Sequence, residues 1–470
     1  MVRTHNSDYR RWFRRLLATT VALWVRVRHL GTSSRSIKNA WRILREEGFG
    51  GIRDRISATA FAVALHAESL TQSPKIEGGP ENKELIHRIL VTDHRIPRGD
   101  VSAGEMVTLG ILRDLVSLGY EVVFLPTDLM PSPKYELELK ECGIQVITRD
   151  SGYRRPAYYV LENGASFGVI YIMRLEAAEK VMPVIRRVAP SARIIFHALD
   201  LYFLREMRGA KVRENSKSGK YAVAIRSREL AMMRLADRIV VVSPIEEAVL
   251  RQELPDKSIT IFPALYTPVV YRMRDFQERE NIFFLGGFGH EPNVDAVEWF
   301  SREIWPLIRN LLPSIEFWII GSEVPRRVAA LSGVPGINVV GFIEQLHPVL
   351  ETLRIGVAPL RYGAGIKGKV ALTMGAGIPC VCTDIAAEGM GIENGVHALI
   401  ENNARGFANA VANLYSDSVM WDRLSRNGQA LVREKFSGKA NHTVLLDVLG
   451  VVRSSTTTGS VGLVNRGESA

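Results

Sequence analysis

Short apolar runs typical of β-strands alternate with longer runs of helical period along most of this 470-residue chain. The strand-like run Arg88–Asp93 is followed by a helical segment that ends near Gly119, and the next strand-like run, Glu121–Leu125, follows at once. Repeated alternation of this kind is typical of a doubly wound parallel sheet, which binds ligands at the carboxyl ends of its strands. Because the chain is too long for one ordinary core, we predict an α/β fold with two Rossmann-like domains facing a cleft.

The two domains are predicted from two separate series of strands. The second series begins at Asn281–Gly286, and residues 263–280 form the connection. We divide the chain into a basic helical extension with a linker (1–83), a first Rossmann-like domain (84–270), a second Rossmann-like domain (271–453) and a disordered tail (454–470). Further strands are predicted at Gln145–Thr148, Gly168–Met173, Arg193–His197, Arg238–Val242, Ile259–Phe262, Ile315–Gly321, Ile337–Val340 and Gly356–Leu360.

The net charge of +10 is concentrated near the amino terminus. Residues 1–57 contain 13 Lys and Arg residues against four Asp and Glu residues, so the rest of the chain is close to neutral and a nucleic-acid-binding domain is not expected. Trp12, Phe13 and Trp24 lie among the arginines, a pattern that favours equally a segment resting on an anionic membrane and a helix docking on protein. The apolar run Leu16–Val25 is too short to span a bilayer and lacks a signal-peptide cleavage site.

Cysteine usage argues against a disulfide framework. The chain has three cysteines, Cys142, Cys380 and Cys382, and the last two alternate on a predicted strand. The sequence has no spacing typical of a zinc site or of another metal cluster. We therefore predict reduced, structural thiols, a cytoplasmic location and no metal cofactor.

A segment of the second domain with several glycines and two lysines is a candidate phosphate site. Gly363, Gly365, Lys367 and Lys369 stand at the start of a predicted helix that feeds an apolar strand. Glycines let a ligand approach the backbone, helix amides carry partial positive charge, and a lysine adds a full charge. Residues two apart point in different directions on a helix, so we assign the phosphate to Lys369, while Lys367 is either a further ligand or a solvated surface charge.

A glycine-rich turn follows the first strand of the same domain. It contains Gly286, Gly287 and Gly289, whose main-chain amides are placed to meet a pyrophosphate. The alternative explanation is close packing of a helix on a strand. Two glycine loops in matching places of one domain favour ligand binding.

Polar residues of the first domain are candidates for the opposite wall of the cleft. His197 and Asp200 follow a predicted strand, at the edge where ligands of this fold bind. His197 either contacts the ligand or is a structural histidine. Gly104 begins a helix and is placed to meet a phosphate, and Asp100 either binds an acceptor hydroxyl or closes a turn.

Several short segments occur in an order and spacing that together are more specific than any one of them. They are Asp200–Glu206, Ala236–Ser243, Phe284–Ala296, Ala358–Arg361, Gly363–Val370, Gly377–Pro379, Ala387–Gly389 and Glu393–Gly395. This order resembles the nucleotide-sugar glycosyltransferases of GT-B architecture, in particular the retaining glycosyltransferase family 4. The resemblance covers about Arg88–Leu449 and is strongest from Phe283 onward.

The resemblance implies retaining transfer of a sugar from a nucleotide diphosphate donor to a glycan or lipid-linked acceptor, as in bacterial polysaccharide or glycolipid synthesis at the inner face of the membrane. It implies that Lys369 and glycine amides of the second domain stabilise the leaving nucleotide without a metal ion. Glu388 then either orients the donor or caps a helix amino terminus. The implied donor-binding residues are Gly104, Gly286, Gly287, Gly289, His290, Asn293, Gly363, Gly365 and Lys367, and the implied catalytic residues are His197, Asp200, Glu388 and Lys369.

The sequence departs from the family at one pair of positions. Relatives usually carry two glutamates eight positions apart, the second of which binds the donor ribose, where this chain has Ala364 and Leu372. Leucine cannot accept a hydrogen bond, so a contact worth about 0.5–1.5 kcal/mol is lost or supplied elsewhere. Two alternatives to an active transferase therefore stay open: a catalytically degenerate scaffold of the same fold, and a sugar-nucleotide epimerase that needs no acceptor.

Overall fold

The computed structural model describes residues 87–99, 103–214, 216–265 and 274–450. The predicted extension 1–83, the predicted tail 454–470 and Asp100 lie outside these ranges. Within them, none of the helices combines the length and the apolar character that crossing a membrane requires.

Seven parallel strands form the first sheet. They are β1 (Arg88–Asp93), β2 (Glu121–Pro126), β3 (Gln145–Val146), β4 (Val169–Met173), β5 (Arg193–His197), β6 (Arg238–Val241) and β7 (Ser258–Ile261). Their order in the sheet is β3-β2-β1-β4-β5-β6-β7, so the direction of winding reverses between β1 and β4. All five residues of β4 are buried, as expected for a parallel strand covered on both faces.

The helices of this part follow the strands in alternation. They are α1 (Ala103–Ser117), α2 (Pro133–Glu141), α3 (Pro156–Asn163), α4 (Leu175–Val188), α5 (Tyr202–Val212), α6 (Ser216–Leu235) and α7 (Pro244–Glu253). The start of α7 is encoded locally, because the Ser243 hydroxyl accepts a hydrogen bond from the Glu246 amide and Pro244 occupies the first helical position. We call this part of the chain the first unit.

Six parallel strands form the second sheet, and we call the part that contains it the second unit. The strands are β8 (Glu280–Leu285), β9 (Phe317–Ile320), β10 (Ile337–Gly341), β11 (Leu353–Ala358), β12 (Cys380–Cys382) and β13 (Leu399–Ile400). Their order is β10-β9-β8-β11-β12-β13, so the winding reverses between β8 and β11. The helices are α8 (Glu291–Trp299), α9 (Trp305–Leu311), α10 (Arg326–Ala329), α11 (Leu346–Leu350), α12 (Gly368–Gly375), α13 (Asp384–Ala387), α14 (Ala404–Ser416), α15 (Ser418–Lys435) and α16 (Gly438–Leu449).

The final helix links the two units. Asn441 on α16 donates to the Leu265 carbonyl at 2.9 Å, and its amide group is buried. The Arg193 guanidinium of β5 donates to the Leu449 carbonyl at 2.6 Å. The chain therefore returns from the second unit and ends its described part against the first sheet.

The two wound sheets agree with the predicted fold class, whereas some element boundaries differ. Gly356 was expected to begin a strand but lies inside β11. Glycine is required there, since a side chain would meet the Thr373 methyl group at 2.4 Å. Helices α5 and α6 together fill most of the chain between β5 and β6. Each contains a glycine, Gly209 and Gly219, that weakens the helical pattern in the sequence.

A close backbone approach shapes the end of the second sheet. Gly321, directly after β9, has φ +154°, and a Cβ atom there would lie 1.9 Å from the Gly286 carbonyl oxygen. The Gly286 amide donates to Ile320, and the Phe288 amide donates to Ser322. Only glycine at position 321 lets the turn after β8 lie this close to the end of β9.

Replacing Gly321 by alanine should therefore destabilise the protein. We expect the free energy of unfolding of Gly321→Ala to fall by about 2–4 kcal/mol, since the Cβ atom meets backbone and the φ angle is strained. Gly333→Ala is the matched control: it has open space around the new methyl group, and its stability should stay within about 0.5 kcal/mol of wild type. Chemical denaturation followed by circular dichroism measures both, and equal stabilities would contradict the close approach.

Candidate functional site

The candidate site lies where the strand order reverses. In open parallel sheets a ligand binds outside the carboxyl ends of the two strands that flank such a reversal. In the second unit these strands are β8 and β11, and they are followed by the two glycine-rich segments found in the sequence. In the first unit they are β1 and β4, which end at Asp93 and immediately before Arg174.

Lys369 lies against the glycine turn after β8. A side chain at Gly286 would meet the Asn293 amide at 2.8 Å and Lys369 Cε at 3.1 Å, so the missing side chain makes room for both. Lys369 Nζ donates to Asn293 Oδ1 at 2.5 Å, and Asn293 Nδ2 donates to the Gly287 carbonyl at 2.6 Å. The ammonium group also lies 5.2 Å from the centre of the Phe284 ring. Asn293 therefore orients the lysine and fixes the turn.

Two lysines lie at the start of α12. Lys367 precedes the helix and is buried, and Lys369 is in its first turn and is half-buried. Lys367 is 8% exposed and donates to the carbonyls of Gly365 and Ala364 at 2.5 and 3.2 Å, so the alternative of a solvated surface charge is wrong. Burial lowers the pKa of Lys367 to about 8. Burial, followed by the positive charge of Lys367, lowers the pKa of Lys369 to about 7. Within the described residues, neither ammonium group forms an ion pair with a carboxylate. The carboxylates of Glu388 and Glu246 partly offset the charge of Lys367 from a greater distance, so it is Lys369 that favours an external anion.

The loop 363–367 is held by the first unit. Gly365 has φ +68°, and a Cβ atom there would lie 2.6 Å from the Leu199 carbonyl oxygen. The Gly365 amide donates to Glu246 Oε1 at 2.9 Å. The Arg208 guanidinium donates to the Gly363 carbonyl at 2.8 Å. The candidate phosphate loop is thus shaped jointly by both units.

Asp200 and His290 face each other across the units. Asp200 pairs with Arg205, which also stacks on the Tyr202 ring at 4.3 Å. His290 precedes α8, and its ring is open to solvent. Burial counts for little on this exposed ring, but the positive charges of Arg205 and Lys369 lower the pKa of His290, so the neutral ring predominates at pH 7. These two residues, predicted on opposite walls of the cleft, therefore lie near each other in the structure.

Gly104 belongs to a charged cluster in the first unit. A Cβ atom on Gly104 would lie 2.8 Å from the Arg174 guanidinium, which pairs with the buried Asp93 carboxylate. Arg174 has φ +68°, which is uncommon for a residue with a side chain. Asp93 also accepts from the hydroxyl of Thr108 at 2.8 Å and from the His94 amide at 2.6 Å. Sequence reasoning did not single out Asp93 or Arg174, although both follow apolar strands at the ligand-binding edge.

His197 does not line the cleft, which corrects its prediction as a sugar contact. The side chain is fully buried, its ring stacks on Phe262 at 5.8 Å, and Nδ1 lies 2.9 Å from the Tyr171 hydroxyl. Burial lowers the pKa of His197 to about 3, so it is a neutral core residue at pH 7. The position of His197 at the end of β5 predicted the correct edge of the sheet. Side chains alternate between the two faces of a strand, however, and this one points into the core.

Glu388 does not have the helix-capping role considered for it, and its role in orienting the donor stays a prediction. Its two carboxylate oxygens accept from the Arg208 guanidinium at 2.8 and 2.9 Å, a bidentate ion pair between the units. It follows the last residue of α13, so it ends a short helix and does not cap a helix amino terminus. Glu388 acts on the neighbouring loop through Arg208. Arg208 was missed because a lone arginine on a helix carries no signal of a partner far along the chain.

Sequence comparison relates parts of the chain to known proteins. Residues 279–417 match the family described as glycosyl transferases group 1. An uncharacterised 44.6 kDa protein in the cps region of Klebsiella pneumoniae is 23% identical over 167 residues, an alignment that covers 34% of this chain. The alignment spans 43% of that relative's length.

Structural comparison relates both units to known folds. Sucrose-phosphate synthase from Thermosynechococcus elongatus aligns with a TM-score of 0.56 at 15% identity, covering 77% of this chain and 98% of that chain. Anabaena HepE in complex with UDP and glucose aligns with a TM-score of 0.56 at 11% identity, covering 77% and 99%. At these identities the likeness is one of fold. The predicted GT-B architecture is therefore confirmed for the described residues, and the second unit is similar to group 1 glycosyl transferases.

The buried ion pair at the first reversal point should contribute to stability. Burial alone would raise the pKa of Asp93, but the charge of Arg174 and the contacts with His94 hold the pKa well below the ordinary carboxyl value. We expect Asp93→Asn to lower the free energy of unfolding by about 3 kcal/mol at pH 7, because it leaves the Arg174 charge buried without its partner. Denaturant titration measures this loss.

The stability that ionised Asp93 contributes should be lost only at acid pH. Native Asp93 stays ionised below the pKa of about 3.9 of an unfolded aspartate, so its contribution is complete above that pH and declines as the pH falls further. Glu121→Gln is the control, since Glu121 forms an exposed pair with Arg88 and its loss should cost at most about 1 kcal/mol. Equal losses for the two variants at pH 7 would contradict the assignment.

Proposed function

We propose that this protein is a retaining glycosyltransferase that moves a sugar from a nucleotide diphosphate sugar to a hydroxyl group of a glycan or lipid-linked acceptor. One observation carries the proposal. Lys369 lies against the glycine turn at the point where the second sheet reverses, Lys367 is buried in the adjoining loop 363–367, and in the described residues neither ammonium group forms an ion pair with a carboxylate. A diphosphate supplies the negative charge that this position lacks.

The proposed sugar transfer needs no nucleophile from the protein. The bond between the sugar anomeric carbon and the diphosphate oxygen breaks, and the acceptor oxygen bonds to the same face of that carbon. The acceptor proton passes to the departing diphosphate. Lys369 and the amides of the glycine turn stabilise the growing charge on the diphosphate, in place of a divalent metal ion.

The first unit supplies the acceptor side in this proposal. Asp200, held by Arg205, is placed to accept a hydrogen bond from a sugar or acceptor hydroxyl, and neutral His290 can bond to the donor. The UDP and glucose bound to HepE support a nucleotide-sugar donor, and the cps-region relative supports a polysaccharide product. The basic residues among 1–57 then bring the enzyme to an anionic membrane face that carries the acceptor.

A scaffold without activity is the second candidate, and Leu372 favours it. Leu372 lies half-buried on α12, one helical turn after Lys369, and offers no oxygen for a donor ribose. A panel of nucleotide diphosphate sugars separates the candidates. Binding with sugar transfer supports the enzyme, absence of binding supports the scaffold, and conversion of the donor to an isomer without acceptor supports an epimerase.

Replacing Lys369 should remove turnover without unfolding the protein. We expect Lys369→Met to lower kcat about 10²–10³-fold with the active donor, since it removes a charge that stabilises the leaving group. Lys257→Met is the matched control: Lys257 is also partly buried and donates to a carbonyl, that of Ala236 at 2.7 Å, but it lies on the first unit before β7. Initial rates of nucleotide release measure both, and an unchanged kcat in Lys369→Met would overturn the mechanism.

Nucleotide binding should weaken as the pH rises. The pKa of Lys369 is about 7 in the empty site, and a bound diphosphate raises it, so binding takes up a proton above pH 7. The affinity for UDP should fall between pH 7 and pH 9, by up to about tenfold per pH unit. Isothermal titration in buffers of different ionisation enthalpy measures the affinity and the proton uptake. A constant affinity over this range, with no proton uptake, would contradict the role of Lys369.

A further inference from the structure

We infer that Glu246 is a positioning residue through which the first unit fixes the phosphate loop of the second unit. Glu246 belongs to α7, far along the chain from the loop 363–367, and it acts through the loop backbone. The inference deepens the proposed function and rests on it only for the identity of the ligand, because the contact between Glu246 and the loop is itself observed.

One carboxylate ties three backbone segments together. Glu246 is 0% exposed, and its Oε1 accepts from the amides of Leu201 and Gly365, both at 2.9 Å. Its Oε2 accepts from the Val242 amide at 3.2 Å. Leu201 precedes α5, Val242 follows β6, and Gly365 is in the second unit. The carboxylate therefore joins two ligand-edge loops of the first unit to the phosphate loop.

The hydrogen bond from Gly365 to Glu246 leaves the loop 363–367 little conformational freedom. Gly365 packs against Leu199 and Asp200, with a Cβ position 2.6 Å from the Leu199 carbonyl and 2.9 Å from Asp200 Cβ. Lys367 Nζ donates back to the Gly365 carbonyl at 2.5 Å. The amide of Gly365 is thus held by Glu246 while its carbonyl holds Lys367. Displacing Gly365 moves both Lys367 and the first residues of α12, where Lys369 lies.

A carboxylate suits this position better than a neutral amide. Three amide hydrogens converge on two oxygens, and both oxygens act as acceptors. A glutamine keeps one acceptor oxygen but places an NH₂ group against a backbone N–H. Glu246→Gln therefore removes part of the contact while preserving the side-chain volume, which tests the loop connection with little change in packing.

The chain offers a close control in Glu229. This residue is 1% exposed and its two oxygens accept from the amides of Tyr202 and Phe203, adjacent to the Leu201 amide that Glu246 binds. Burial raises the pKa of both carboxyls, of Glu229 to about 8 and of Glu246 to about 7. Of the two, Glu246 alone has a hydrogen bond to the second unit. Glu229→Gln therefore reproduces the burial and the amide bonding but not the link to Gly365.

Hydrogen exchange of the full-length protein tests the link without any assumption about activity. In Glu246→Gln the peptide containing residues 361–369 should exchange at least about tenfold faster than in wild type, because the amide of Gly365 loses its best acceptor. In Glu229→Gln the same peptide should exchange as in wild type. Equal exchange of this peptide in Glu246→Gln and wild type, or equal acceleration in both variants, would overturn the inference. Glu246→Asp, which keeps the charge but shortens the reach, serves the same comparison if the glutamine variant does not fold.

Binding of UDP separates this inference from the proposed function. Wild type and Glu229→Gln should bind UDP alike, while Glu246→Gln should show a Kd about tenfold higher or more, a change that a mere loss of folded protein would not produce. Equal Kd values in Glu246→Gln and wild type would overturn the positioning role in ligand binding. If wild type binds neither UDP nor GDP, the proposed function fails for these donors, and the exchange result alone decides whether Glu246 fixes the loop.

Discussion

The arrangement of the site depends on the close approach of Lys369 to Gly286, the glycine that directly follows β8. Gly286 leaves space for the stem of Lys369 and for the Asn293 amide, and Gly321 lets the turn lie against the neighbouring strand. Asn293 then joins the ammonium group to the Gly287 carbonyl. A positive charge is held at the reversal point of the sheet by packing and hydrogen bonds, and its desolvation is the cost that a bound anion offsets.

The second constraint is the dependence of one unit on the other. The phosphate loop belongs to the second unit, but its backbone is bonded by Glu246 and Arg208 of the first. Arg208 also pairs with Glu388, so a single guanidinium bonds to the loop and to the residue after α13. Asp200, for which we propose a role on the acceptor side, packs against Gly365, so in the proposed reaction the relative placement of donor and acceptor depends on contacts that both units supply.

The sequence predicted the fold well because its strands are buried on both faces and its helices are strongly patterned. The positions of the glycine segments and of Lys369 at the ligand-binding edge were also predicted, since a loop between a strand and a helix has a fixed place in this architecture, whereas their binding of a phosphate stays a proposal. His197 shows the limit of that reasoning: its place at the carboxyl end of β5 is right, but the pleat turns its side chain into the core, where it contacts Tyr171 and Phe262. The roles of Glu246 and Arg208 depend on partners more than a hundred residues away, and no local pattern reports such pairs.

The central claim is that a nucleotide diphosphate binds between Lys369 and the glycine turn of the second unit. A crystal structure of the protein with UDP tests it most directly. We expect the diphosphate within hydrogen-bonding distance of Lys369 Nζ and of the main-chain amides between Gly286 and His290, with the uridine extending toward α12. A nucleotide bound elsewhere, or a diphosphate that leaves Lys369 bonded to Asn293 alone, would contradict it.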